Sequence, residues 1–550
     1  MNRFFAGAQA IGMPIMLLIL ACNLLVLCWY LFSGYQAIFH ADSAIKVLLA
    51  REIVETGQYF PREWVYANGD IFVLFGHTFI IPLLAFLPAG FLAHAVSGFL
   101  STGLILGSIW LVAGITGAGM TQRVAVLAVL ASGVSGYMAE NLFGQVSYGV
   151  FVYFSGLILF FSFHLLYAEP GRRKYYGIAL FGILLLAAWS NPFRALVSFG
   201  VPVFAAILWN AWGTGSDDLP PSLSNRWVVL GVVGAGFLVG TLLYIQTLSG
   251  LQVEYGAGRP KWLSYDEMLR NLSLTPQSVL GLFGGLPTEK GELVSLSGVY
   301  EAFRLAAGVL LIGMIPMSLR ASLQRKGSGM AFVGFYTLTA LAGVLFLQLT
   351  TTIPAMNDPI IASRYLVPSL VMAFVLVLCQ PSDWVRSPVL SLCLAIVFAC
   401  YLTSAYPALV QSGSYSNADR SESARRAHSL DGVKNYLLQQ GLRYGYASFW
   451  NSGTLTVLSD EKLLVRHIRL ENGIPIPDRW LCSDRWYRPD AWQGTTFLLL
   501  TEKEETKLNR ELLERYHGTP IPEMRWEGFR IFVLSENPAV YLPGWGRQGP

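Results

Sequence analysis

Long apolar runs recur along this chain from Ile11 to about Ala405, and beyond that point hydropathy falls to that of an ordinary water-soluble fold. Runs near the length of a bilayer crossing, some of them short, cover Ile11 to Phe32, His94 to Ile115, Val124 to Met138, Tyr148 to Leu166, Tyr176 to Trp189 and Ala195 to Trp212. Others follow at Trp227 to Ile245, Phe303 to Leu319, Met330 to Leu349, Leu366 to Leu378 and Val389 to Ala405. The pattern predicts a polytopic α-helical membrane protein of about eleven spans with a small C-terminal α/β domain. Residues 1–405 form the membrane domain, 406–419, rich in Ser with Pro and Gly, a linker, and 420–550 the soluble domain. In the tail, a helical pattern at Leu430 to Gln440 precedes strand-like runs at Tyr444 to Trp450, Lys462 to Ile468, Thr496 to Leu500 and Phe529 to Leu534, with a charged helix near Glu502 to Tyr516.

One further apolar stretch, Ile71 to Phe91, is interrupted by Gly76, His77, Pro82 and Pro88, and whether it crosses decides the orientation of everything after it. If it lies in the interface or re-enters, then Arg3, Arg123, the Arg172-Arg173-Lys174 cluster, Arg226, Arg320, Arg325, Lys326 and Arg386 all face the cytoplasm, as the positive-inside rule requires. Lys46, Arg51 and Arg62 then stand against the rule in the first outer loop, residues 33–70. The expected arrangement has a cytoplasmic N-terminus and an extracytoplasmic C-terminal domain in the inner (plasma) membrane.

The chain is 54% hydrophobic and 13% charged, with a net charge of +4 from scattered basic residues, which speaks against nucleic acid as a partner. Five of the six cysteines lie in or beside apolar runs, so no disulfide framework or zinc spacing follows. The first apolar run is too long for a signal-peptide core and has no small-residue cleavage site after it, and is expected to be a retained helix.

Candidate chemistry gathers on the expected outer face. His40-Ala41-Asp42-Ser43 opens a helix whose apolar face (Ala44, Ile45, Val47, Leu48, Leu49, Ile53) should lie along the membrane surface, with the Asp42 carboxylate meeting both a lipid phosphate and water. The plainer alternative is a helix cap, or an ion pair with Lys46 one turn on. Arg364 and Tyr365, in Ala362-Ser363-Arg364-Tyr365-Leu366-Val367-Pro368, stand directly before an apolar run, where a guanidinium can bind a phosphate head group through two hydrogen bonds or simply anchor the helix end. Arg194, in Ser190-Asn191-Pro192-Phe193-Arg194, is a similar case on another turn. Glu140 and Asn141 add a carboxylate and an amide that either hold a sugar hydroxyl, a metal or Asp42, or cap a helix. His77 and Asp70 adjoin the irregular stretch and either line the same cavity or are structural. His164 lies inside a span with no evident partner. The aromatic run Tyr444 to Asn451 stacks on sugars or fills a core, and core is the simpler use.

A long first outer loop opening on an acidic residue, a surface helix, many spans, an Arg-Tyr-Leu-x-Pro element before a late span and an exported C-terminal domain resemble the GT-C superfamily of membrane glycosyltransferases. Within it the chain is most similar to bacterial relatives of protein O-mannosyltransferase and of lipid A aminoarabinose transferase. The resemblance implies a polyprenyl-phosphate-linked sugar donor, a lipid or glycan acceptor hydroxyl outside the membrane, Asp42 as general base with Glu140 as second catalytic carboxylate, and Arg364 stabilising the departing phosphate. Arg194, Asn141, His77 and Tyr365 complete the expected substrate contacts. Many members carry two adjacent acidic residues in the first loop, whereas Asp42 is followed by Ser43; a metal held by paired carboxylates is therefore not expected, nor is any other cofactor.

Two other classes fit parts of the pattern. A glycan polymerase or ligase of another superfamily uses the same donor but usually places its catalytic loop late in the chain. A transporter or flippase for a lipid-linked substrate should show related halves and midplane charges, and neither is visible here.

Overall fold

The computed structural model describes residues 2–212, 223–256, 260–287, 292–325, 327–353, 356, 358–380, 387–411 and 430–545. Arg386, Lys326 and residues 412–419 of the expected linker lie outside the described residues. The helices that position the site are α1 (Asn2–Phe32), α2 (Ala41–Thr56), α3 (Gly76–Leu83), α4 (Phe91–Ile115), α5 (Met120–Ala131), α6 (Gly136–Ala139), α7 (Gly149–Leu166), α8 (Pro170–Ser190), α9 (Pro192–Ala195), α10 (Val201–Trp212), α11 (Leu223–Leu248), α12 (Tyr265–Leu282), α13 (Leu296–Gln324), α14 (Gly329–Thr350), α15 (Pro359–Ala362), α16 (Val367–Leu378) and α17 (Pro388–Leu402).

Every expected span is helical, although fewer pass as clear crossings. Among the described residues eight helices are long and apolar enough to cross, or nine if α5 and Gly136–Gly144, bent by 97°, count as one broken span. The other two expected spans fall short for visible reasons: α8 opens on Arg172, Arg173 and Lys174, and α17 has only 15 residues. The stretch from Ile71 to Phe91 does not cross. Its helix α3 has 8 residues, about 12 Å of rise against about 30 Å of hydrocarbon.

Close backbone approach explains particular glycines in the bundle. A Cβ on Gly329 would stand 2.0 Å from the Ile115 carbonyl oxygen, and one on Gly149 would stand 2.2 Å from that of Leu142. The bend between α5 and α6 is held by Arg304, a buried cation on α13. Its Nη2 donates to the Val134 and Phe283 carbonyls at 2.7 and 2.9 Å, its Nε to Gly284 at 2.9 Å and its Nη1 to Ser404 Oγ at 2.7 Å. The backbone groups freed by the bend are thereby satisfied inside the protein, as a membrane interior demands.

The C-terminal domain is a mixed α/β fold. Its six-stranded sheet runs β5-β4-β3-β7-β9-β8, with β3 (Tyr444–Ala447) parallel to β4 (Leu464–Glu471) and to β7 (Thr496–Thr501). The remaining strands, β5 (Ile474–Pro477), β8 (Glu523–Trp526) and β9 (Phe529–Leu534), pair antiparallel. A helix over residues 430–439 matches the expected one. The strand expected at Tyr444 to Trp450 stops at Ala447, because Ser448 turns the chain into α19 (Phe449–Leu458; α18 being residues 430–439). The charged helix near Glu502 to Tyr516 is two short ones, Glu502–Glu505 and Arg510–His517, the second capped by Asn509.

This domain is fastened to the membrane part. Strand β1 (Trp64–Ala67) of the first loop pairs parallel with β2 (Gln252–Glu254), which follows α11, and antiparallel with β6 (Cys482–Ser483) of the domain. Helix α19 lies against α2, so α2 is enclosed from both sides. That corrects the expectation of a helix resting on the membrane surface: nearly all its residues from Ala41 to Ile53 are buried.

Candidate active site

Helix α2 starts where His40 leaves the extended backbone, which puts Asp42 in the first turn without making it the cap. The Asp42 carboxylate is half-buried and accepts a hydrogen bond from Gln145 Nε2 at 3.3 Å. It forms no ion pair with Lys46. The Lys46 ammonium turns down instead, donating to the Gln145 carbonyl and, at 3.5 Å, to the carbonyl of Asp42, above the Phe75 ring. Lys46 is 3% exposed, and removal from water pulls its pKa from 10.5 down to about 7, against the opposing charges of Asp42 and Glu140.

The broken helix supplies the facing wall. After α6 the chain makes one wide turn, Glu140–Gly144, and the two residues flanking this segment, Val134 and Val146, both have φ of +61°. β-Branched residues avoid that conformation, so the segment is held under strain at each end. Gly144 fits only as glycine, since a Cβ would meet the Tyr35 ring at 2.6 Å. Glu140, 6% exposed, has Oε1 2.8 Å from His40 Nε2, while its Oε2 is buried without a partner. Asn141 is turned inward, its amide donating to the Tyr137 carbonyl at 2.9 Å.

Arg364 enters from the opposite side on a short 3-10 turn between α15 and α16. The turn is set by Asp358, whose Oδ1 caps Ile360 and Ile361 N–H at 3.0 Å. The guanidinium stacks over the Tyr365 ring at 5.4 Å, and its electrostatic neighbours are Tyr148, Tyr365, Tyr137 and Asp42. It is half-buried, pairs with no carboxylate among the described residues, and keeps Nε unbonded. Tyr148 and Tyr365 meet edge to face at 5.5 Å and share Arg194 as a further neighbour. Arg194 Nη1 is bonded to Asp70 Oδ2 at 2.9 Å, and Asn191 donates to the other Asp70 oxygen at 2.7 Å. Burial pushes the Asp70 carboxyl up, and Arg194 opposes the shift.

Asp70 thus pairs with Arg194, and electrostatic neighbourhood links Arg194 to Arg364, Arg364 to Asp42, and both Asp42 and Glu140 to Lys46, six groups that make up a polar arc. His77 is apart from it, 1% exposed and packed by Tyr59, with burial pulling its pKa to about 3. His164 lies elsewhere, bonded through Nδ1 to the Phe160 carbonyl at 2.9 Å. Sequence reasoning weighed Lys46 as an ion-pair partner of Asp42 and as a mismatch with the charge rule, and gave it no place in the site. Its signal was its position one helical turn after Asp42, on the same side of the helix.

No family model matches the chain, and no curated protein matches it in sequence. Solved structures do. The crystal structure of ArnT from Cupriavidus metallidurans bound to undecaprenyl phosphate superposes with a TM-score of 0.52 over 97% of this chain and 99% of that one, at 11% identity. The apo state of the same protein gives 0.53 over 94% and 97%, again at 11% identity. The chain has the fold of ArnT. The correspondence runs through the C-terminal domain as well, since nearly the whole of both chains is covered. At such low identity the likeness extends to architecture alone, and the chemistry rests on the residues of the arc.

Proposed function

We propose that the chain transfers a sugar from a polyprenyl-phosphate donor to an acceptor hydroxyl on the outer side of the membrane. The reading is supported by Asp42 being an electrostatic neighbour of Arg364, more than three hundred residues away in sequence, in a fold shared with ArnT. That ArnT was crystallised with undecaprenyl phosphate supports a donor of the same class. Asp42 takes the proton from the acceptor hydroxyl as its oxygen attacks the anomeric carbon. The bond from that carbon to phosphate breaks, and its electron pair leaves on the polyprenyl phosphate. Arg364, without a carboxylate of its own, meets the charge that develops there, where a preset cation is worth most. Direct displacement inverts the anomeric centre. Arg194 and Tyr365 extend the phosphate side, and Glu140, held by His40, backs the acceptor side. Asn141 and His77 act at most through the packing of their neighbours.

We place the N-terminus in the cytoplasm and the C-terminal domain outside, which puts Arg123, the basic start of α8, Arg226 and Arg320 inside. The transfer is proposed to need no metal, so chelation should leave it unchanged. Asp42→Asn should abolish sugar transfer from lipid-linked donor while the folded yield stays at the wild-type level. Arg364→Ala should raise the donor KM at least ten-fold. Unimpaired transfer by the Asp42 variant, or by Arg364→Ala with soluble nucleotide sugars, overturns the assignment.

A further inference from the structure

The C-terminal domain leaves an aromatic side chain half exposed beside the first outer loop. Tyr444 and Tyr446 fill the domain core and Phe449 packs on His467, with ring centroids 5.4 Å apart. Trp450 is 49% exposed, and its ring centroid lies 6.3 Å from that of His40, two residues before Asp42.

The position is fixed by close packing. Gly453, one turn further along α19, approaches α2 so tightly that a Cβ there would touch Leu48 Cδ1 at 3.2 Å and Ala44 Cβ at 3.4 Å. A buried latch holds the same surfaces together. Glu52 of α2, 2% exposed, accepts from Ser483 Oγ at 2.7 Å and from Arg485 Nη1 at 3.3 Å. Arg488 and Glu63 form a second pair at 2.6 Å. The domain is thus a fixed wall beside Asp42, and the indole is the aromatic surface that wall presents next to His40.

We propose that Trp450 is an acceptor subsite that takes a sugar ring, so that the acceptor is a glycan or glycolipid and not a protein hydroxyl. This rests on the transferase function proposed above. An indole face suits the C–H face of a pyranose, and the partly exposed His40 ring beside it, held by Glu140, makes the polar edge of the same surface. The acceptor ring then lies between a flat apolar surface and a polar edge, with a hydroxyl turned towards Asp42.

The test uses the full chain in lipid nanodiscs, with two probes extracted from a deletion strain: its radiolabelled polyprenyl-phosphate sugars as donor and its envelope glycan and glycolipid fraction as acceptor. Trp450→Ala should raise the acceptor KM about ten-fold with kcat at saturating acceptor lowered less than two-fold, and Trp450→Phe should restore most of the affinity. Periodate oxidation of the acceptor fraction should remove its activity, and protease treatment should not. An unchanged acceptor KM in Trp450→Ala, as expected of a mere membrane-interface anchor, or loss of acceptor activity to protease, overturns the proposal. Retention of the labelled glycan fraction on immobilised nanodiscs is read separately. It should be lost in Trp450→Ala, and equal retention by that variant and wild type overturns the subsite. A wild-type protein that leaves every lipid-linked donor untouched overturns the transferase function, and the retention result still decides the sugar platform.

Discussion

Lys46→Met probes the site through two effects that the structure sets against each other. Lys46 is 3% exposed and its pKa falls from 10.5 to about 7. Between those values the unfolded chain binds a proton that the folded chain does not, so stability contributed by this group rises with pH, by about 1.4 kcal/mol per pH unit. Over the whole window that is about 5 kcal/mol, and at or below pH 7 all of it counts against the folded state. Methionine has similar length and no charge, and removes this penalty. It also gives up the ammonium's bonds to the Gln145 and Asp42 carbonyls, a loss of about 2–3 kcal/mol. Lys46→Met should therefore be more stable than wild type by about 2 kcal/mol at pH 6 and less stable at pH 10, with the two curves crossing between. Unfolding of both proteins in the same detergent across that range gives the difference directly, since the other titrating groups cancel. The variant should also lose sugar transfer, because the buried cation beneath Asp42 is retained against its cost to stability. A stability difference that does not change with pH would refute the burial argument, and a stabilised variant with full transfer would refute the functional one.

Glu52→Ala should loosen the domain from α2 at a cost of about 1–3 kcal/mol, discounted because Arg485 is 39% exposed. Cys482, buried in β6 beside the latch, reports this: its labelling by a membrane-impermeant maleimide should speed up at least ten-fold, and an unchanged rate would sink the latch. Gly329→Ala should lower stability by about 1–3 kcal/mol or more, as its Cβ would stand 2.0 Å from the Ile115 carbonyl; an unfolding midpoint equal to wild type would show that α4 and α14 do not meet there. Arg194→Gln should destabilise more than Asp70→Asn, because it leaves a buried carboxylate without its cation, and the double variant should be less harmful than the sum of the two. Strict additivity of the unfolding energies would argue against the pair.

The apolar runs marked nearly every helix of the membrane part, since a bilayer demands length and apolarity of the sequence itself. In the soluble domain β3, β4, β7 and β9 were readable, while the short β5, β6 and β8 were not, nor was the switch at Ser448 from β3 to α19. Burial of α2 was not readable. Its polar residues are covered by distant parts of the chain, Lys46 by Gln145 and the Phe75 ring, and Glu52 by Ser483 and Arg485 some four hundred positions later. Separations of a hundred residues or more hid the partners of the candidate residues: Asp70 for Arg194, His40 for Glu140, Gln145 for Asp42. A sequence shows which residues carry charge, and the fold decides which of those charges are neutralised.

Which charges remain free is then informative. Arg194 is bound to Asp70, Glu52 to Arg485, Glu63 to Arg488, and Arg304 is saturated by carbonyls. Along the arc, Arg364 has no carboxylate among the described residues, and Glu140 keeps one oxygen unbonded inside the protein. An unpaired guanidinium and a half-used carboxylate near a membrane are expensive. The cation lies by Tyr148 and Tyr365, and the carboxylate is bonded to His40, whose ring neighbours Trp450. In the transfer proposed above, the lipid-phosphate donor brings its phosphate to Arg364 and the saccharide acceptor brings its hydroxyls to the His40 side.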